Sequence, residues 1–158
     1  MCPIVISFNP SPLGRVEFDA GVMTADRKSF VDITFKLDSG SDFTTLSCED
    51  LDALGYSKEH LHSCKVFGKA STASGEVDLQ YIENISIKFG DRELQGGRIF
   101  FALETEMRSL FGSDILKYFN REINYDKCEL RLNKTENPPG LAQGETPIQI
   151  YSVSNRFS

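Results

Sequence analysis

The amino-acid sequence predicts a mostly β domain with one or two short helices, and three observations carry that expectation. Apolar and polar residues alternate through several runs, most cleanly over residues 30–37, where Val31, Ile33, Phe35 and Leu37 share one face. Turn formers punctuate those runs at residues 9–14, 25–28, 90–91 and 126–127. Helical spacing is confined to two stretches, and each is short.

In chain order, Pro3-Ile-Val-Ile-Ser-Phe8 reads as a strand closed by Asn9-Pro-Ser-Pro-Leu-Gly14. Residues 15–24 alternate loosely and pair with residues 30–37 as a hairpin around the polar turn at 25–28. Ser47 then stands as a cap before early acids, Leu51 and Leu54, and Gly55 ends that short helix. His60 and His62 fall in what reads as a polar connector; with no third ligand nearby they are surface histidines, and no metal site is expected. From Val66 to Tyr81 apolar residues flank the small-residue stretch 68–75, which reads as a mobile hairpin. Ile85, Ile87 and Phe89 alternate before the Gly90-Asp91 turn, and residues 98–103, apolar on both faces, read as a central strand. A polar loop at 104–109 leads to Leu110-Phe111-Gly112 and a second helical stretch over 113–119. Residues 122–132 form a hairpin around Asp126-Lys127. A linker composition with Pro138-Pro139-Gly140 precedes a final apolar run at 147–153.

The chain's 158 residues suffice for one domain with a real core and leave no room for a second large one. With 17 basic against 23 acidic residues, a net charge of −6 and no Lys/Arg cluster, a nucleic-acid partner is not expected. Cys2, Cys48, Cys64 and Cys128 are scattered, so they read as free thiols. The N-terminus lacks the charged and apolar regions of a signal peptide, and no run reaches transmembrane length. The expected setting is the cytoplasm, away from membranes.

One stretch carries chemistry: Phe35-Lys-Leu-Asp38-Ser39-Gly40-Ser41-Asp42-Phe43-Thr44-Thr45-Leu46, an alternating strand that runs into a polar turn and leaves in apolar residues. An Asp-Ser-Gly tripeptide alone suits any Asx-type turn. Here it is answered further on by Leu110-Phe111-Gly112-Ser113-Asp114-Ile115-Leu116 and a following hairpin. Over about residues 15–132 the chain resembles the retropepsin-like aspartic proteases, single-domain homodimeric relatives of pepsin. The resemblance implies a closed β-barrel with a flap hairpin, a protease domain over residues 1–133 and a C-terminal extension over 134–158 holding a linker and a short strand.

The resemblance also implies roles. Asp38 would be catalytic, one carboxylate from each subunit of a homodimer activating a water on a peptide or protein substrate, without cofactor or metal. Ser39 would bond across the dimer axis, Gly40 would let substrate backbone approach, and Ser41 would hydrogen-bond a catalytic carboxylate. Asp42, Phe43, Thr45, Arg108 and Leu110 fall at substrate-lining positions, with Phe43 and Leu110 suggesting apolar side chains on the peptide. Ser71, Thr72, Ala73, Ser74 and Gly75 stand where the flap belongs. The chain departs from many retropepsins at Ser113, where they carry an Arg that pairs with the residue matching Asp42. Either Asp114 bonding Thr44 compensates, or the dimer is weak and concentration-dependent. From a different class, a catalytically silent domain used for dimerisation or peptide binding fits the same fold.

Overall fold

Ten strands and three short helices form among the residues described by a computed structural model, namely 2–73, 75–137, 139–141 and 144–153. The turn-bounded alternation of the N-terminal half becomes β1 (Ile4–Ser7), β2 (Glu17–Met23) and β3 (Phe30–Leu37). β2 and β3 pair antiparallel from Glu17↔Lys36 to Met23↔Phe30, which places Phe18, Ala20 and Val22 on the same buried face as Ile33 and Phe35. Arg27 takes the left-handed conformation (φ 62°) that lets the chain reverse between them.

After residues 38–46 come α1 (Cys48–Ala53) and α2 (Lys58–His62). Ser47 Oγ accepts from Asp50 N at 3.1 Å at the start of α1, and Gly55 (φ 90°) ends it, as the sequence predicts. The connector holding His60 and His62 is instead helical. Ser57 caps it by accepting from His60 N at 3.1 Å, and buried Gln80 receives its other end by donating to Leu61 O and Cys64 O, each at 3.1 Å. A helix this short offers no periodicity to read; only Ser57 and Glu59 in its first turn signalled it.

β4 (Lys65–Thr72) and β5 (Gly75–Phe89) make a long ribbon, and β6 (Arg92–Phe101) returns along β5 after the Gly90-Asp91 turn. β7 (Leu110–Phe111) pairs parallel with β3, and α3 (Ser113–Leu116) follows. The second helix is shorter than residues 113–119 because Phe119 is already paired with Lys134 in the hairpin of β8 (Phe119–Asn124) and β9 (Glu129–Lys134). β10 (Gln149–Ser152) adds to the edge of β6.

The main sheet runs β10-β6-β5-β2-β3-β7, and β4 pairs with β5 off that path. Thr45 bridges both Phe100 of β6 and Leu110 of β7, so the sheet curls round and meets itself at the stretch after Asp38. A separate sheet, β1-β9-β8, closes the bottom. The core between them is aromatic: Phe18, Phe35 and Phe111 meet with ring centroids 5.4–6.3 Å apart, and Phe89 stands 5.8 Å from Phe111. Phe111 is fully buried, and it fixes the second motif to the middle of the barrel.

Candidate active site

β3 delivers Asp38 to the barrel's rim. Its backbone N–H donates to Phe111 O at 3.0 Å, extending the β3–β7 pairing by one residue. The chain then turns sharply, with Ser41 N donating to Asp38 O at 3.1 Å and Gly40 N donating to Asp38 Oδ1 at 3.1 Å. One carboxylate oxygen of the half-buried Asp38 is thereby oriented by its own turn.

The segment 109–113 passes beneath this loop and is bonded to it at every step. Thr45 N donates to Leu110 O and Leu110 N returns to Thr45 O, at 2.9 and 3.1 Å, while Ser113 N donates to Ser41 O at 2.8 Å. Gly112 is the tightest point of the crossing. A Cβ there would lie 2.4 Å from Phe43 O and 3.0 Å from Ser41 O, so no other residue fits without displacing the loop. Thr44, fully buried, completes the joint: its hydroxyl donates to Asp114 Oδ1 at 2.6 Å and accepts from Gly112 N at 3.0 Å. Burial pushes the Asp114 carboxyl above its ordinary value, and the Thr44 hydroxyl partly offsets this. The Thr44–Asp114 bond that would stand in for an Arg after Gly112 is thus made.

The other sequence-derived residues separate into two groups. Asp42 is exposed, and half-buried Phe43 packs its ring 4.3 Å from Phe100 and 5.1 Å from Phe67 of β4. These two line a cleft of about 320 Å³ with Phe67, Arg98, Ser113 and Lys117. Arg108 is exposed, 4.0 Å from Glu17, and Leu110 is half-buried at the start of β7. Thr45 differs from the expectation for a substrate-lining residue. It is 2% exposed, and its hydroxyl donates to Arg108 O at 2.6 Å, so it braces the loop. Ser41 differs as well, because its hydroxyl donates to Phe43 O at 2.8 Å rather than to a carboxylate. Ser39 and Gly40 are exposed at the tip of the turn.

Above the loop, the β4–β5 ribbon ends at Thr72, whose hydroxyl donates to Gly75 O at 2.7 Å, with Gly75 in a positive-φ conformation (120°). Ser71 and Ala73 belong to this tip, and Ser74 lies outside the described residues.

A crystal structure of a retropepsin-like aspartic protease from Rickettsia conorii matches this architecture with a TM-score of 0.60 and 27% sequence identity, covering 84% of this chain and 91% of that one. The fold is retropepsin-like. No protein-family model matches the sequence, and no curated protein sequence matches it.

Within this retropepsin-like fold, two groupings escape a reading of the sequence. Phe67, Tyr81 and Phe100 gather beside Phe43, and the Arg98 guanidinium lies 5.1–5.7 Å from the centroids of all three. This cluster ties the base of the ribbon to the loop of residues 38–46. The other is Ser109, whose hydroxyl donates to Asp50 of α1 and accepts from Ser47 N at 3.1 Å. Their partners are far apart in the chain, and no local pattern marks them.

Proposed function

We propose that the chain is an aspartic endopeptidase that works as a homodimer, with Asp38 from each copy forming the catalytic dyad. The observation that supports this most directly is the crossing at Gly112. It braces the turn that Asp38 opens at the barrel's rim, in a fold similar to that of a retropepsin-like aspartic protease. A single chain carries a single Asp-Ser-Gly, so the second carboxylate has to come from a second copy.

In this mechanism one ionised Asp38 takes a proton from a water as the water oxygen bonds to the peptide carbonyl carbon. The other Asp38, protonated, donates to the carbonyl oxygen. Collapse of the tetrahedral intermediate breaks the C–N bond, and a dyad proton passes to the departing nitrogen. Two carboxylates this close share one proton, so the rate should peak below neutrality. Phe43 and Leu110 favour apolar side chains beside the scissile bond, and the β4–β5 tip closes over them as the flap. Four free thiols fit a reducing compartment such as the cytoplasm, and no helix among the described residues is long and apolar enough to cross a membrane.

The test compares purified wild type with Asp38→Asn on a diverse peptide library while dimerisation is followed by analytical ultracentrifugation. Cleavage by wild type alone, with a rate that follows the dimer fraction, is the expected result. Equal residual cleavage by both proteins would refute the enzyme, and a dimer that binds peptides without cutting them would assign a silent binding domain.

A further inference from the structure

We infer that Glu145, in the C-terminal segment, is a positioning residue for the active-site loop, acting through Lys117 at the end of α3. The inference rests on the protease reading only for its kinetic consequence.

α3 spans four residues, Ser113–Leu116, and a single turn of helix does not persist without outside support. Yet two of its groups hold the loop: Ser113 N donates to Ser41 O, and Asp114 accepts from Thr44. Its N-cap, Gly112, offers no side-chain cap, so the N-terminal turn is held only by the loop it is meant to hold and by buried Ile115 and Leu116. A tie independent of the loop stands at the other end. There the C-cap residue, Lys117, places its ammonium 2.5 Å from Glu145 Oε1 and 3.5 Å from Gly140 O.

This ion pair differs in kind from the chain's surface pairs. The Lys117 and Glu145 side chains are 16% and 8% exposed, against 69% and 44% for Lys65 and Glu83. An exposed pair contributes little, whereas removing one partner of a buried pair leaves an uncompensated charge that the surroundings must move to solvate. The segment carrying Glu145 is itself anchored. β10 pairs with β6 from Gln149↔Gln95 to Ser152↔Arg92, Val153 N donates to Asp91 O at 2.8 Å, and Ile148 and Ile150 pack on the core. The strap thus connects β6 rigidly to α3. Ser113 brings no charge to the crossing, and the cationic fastener stands one helical turn later, at Lys117, on the same cleft as Asp42.

Hydrogen exchange of the 158-residue chain tests this without relying on catalysis. In Glu145→Gln, the Ser113, Thr45 and Leu46 amides, bonded to Ser41, Leu110 and Phe100 carbonyls, should exchange about tenfold faster or more, while β8–β9 amides keep their protection. Glu145→Asp should lie between, and the swap Lys117→Glu with Glu145→Lys should restore most of the protection. If wild type hydrolyses peptides, Glu145→Gln should lower kcat and leave KM nearly unchanged. Unchanged exchange at Ser113 and Thr45 would overturn the inference, as would loss spread evenly over the chain. A wild type without peptidase activity would overturn the protease reading instead, and the exchange pattern would still decide the role of Glu145.

Discussion

The floor of the candidate site and the ribbon above it are built on opposite principles. The floor, residues 38–46 crossed by 109–113, buries Thr44, Thr45, Leu46 and Phe111 almost completely and satisfies the polar groups of the crossing within itself. The ribbon's β4 is an edge strand with Val66 54% and Phe67 41% exposed, pinned to β5 by backbone bonds and by Lys69–Asp78 across solvent. If the chain is the aspartic protease proposed above, it needs a carboxylate that does not move and a cover that does; the floor is interlocked by two loops, whereas β4 is held along one edge, by β5 alone.

The sharpest way to break this contrast is one extra methyl in each region. Gly112→Ala would drive a Cβ to 2.4 Å from Phe43 O and should cost about 3 kcal/mol of stability or prevent folding. Gly68→Ala on β4 meets nothing within 4 Å, and its effect should stay within about 0.5 kcal/mol. Urea unfolding of both variants measures the difference, and similar losses would erase the distinction between floor and ribbon.

Polar groups make a second comparison. Thr44→Val leaves the Gly112 N–H without its partner in a buried joint and takes one of the bonds from the Asp114 carboxylate, which keeps that from Ile115 N, at a cost of about 2 kcal/mol. Lys69→Ala removes a solvent-exposed pair and should leave the unfolding midpoint where it was. A thermal shift for Lys69→Ala matching that for Thr44→Val would contradict the assignment of the ribbon as loosely held.

The smallest effect is a dependence on pH. Burial raises the Asp114 carboxyl above its ordinary 3.8, so the folded chain holds that proton more tightly than the unfolded one. Its contribution is full below the unfolded value and is lost as pH rises through the folded value. Wild type should therefore lose stability relative to Asp114→Asn as pH climbs from 3.8 through the raised value. Parallel melting curves across that window would show that Asp114 titrates as it does in the unfolded chain.

The strands and the first helix were legible because their signals are local: alternation in β3, Ser47 before α1, Gly90-Asp91 between β5 and β6. The two halves of the crossing were legible too, since Asp38-Ser39-Gly40 and Leu110-Phe111-Gly112 are short patterns with backbone reasons behind them. What stayed hidden depends on where side chains end up. Thr45 looks identical in sequence whether its hydroxyl faces substrate or Arg108 O, and Ser41 has equal reach toward a carboxylate and toward Phe43 O. The pairing of Lys117 with Glu145 spans a linker composition that carries no periodicity at all. α2 was missed for a simpler reason, being too short to repeat.

The barrel ring is completed at residues 44–46, which bond on one side to Phe100 and on the other to Leu110, residues distant from them along the chain. Contacts between such distant residues carry the loop-closure cost of all the chain between them and are rewarded only after the hairpins exist. Closure at Thr45 should then come late in folding, and until it happens Asp38 would have a strand behind it and no floor. A chain caught at that stage would carry nearly all of its secondary structure and an unbraced Asp38 loop, so in refolding circular dichroism should recover before amide protection at Thr45 and Leu46 does.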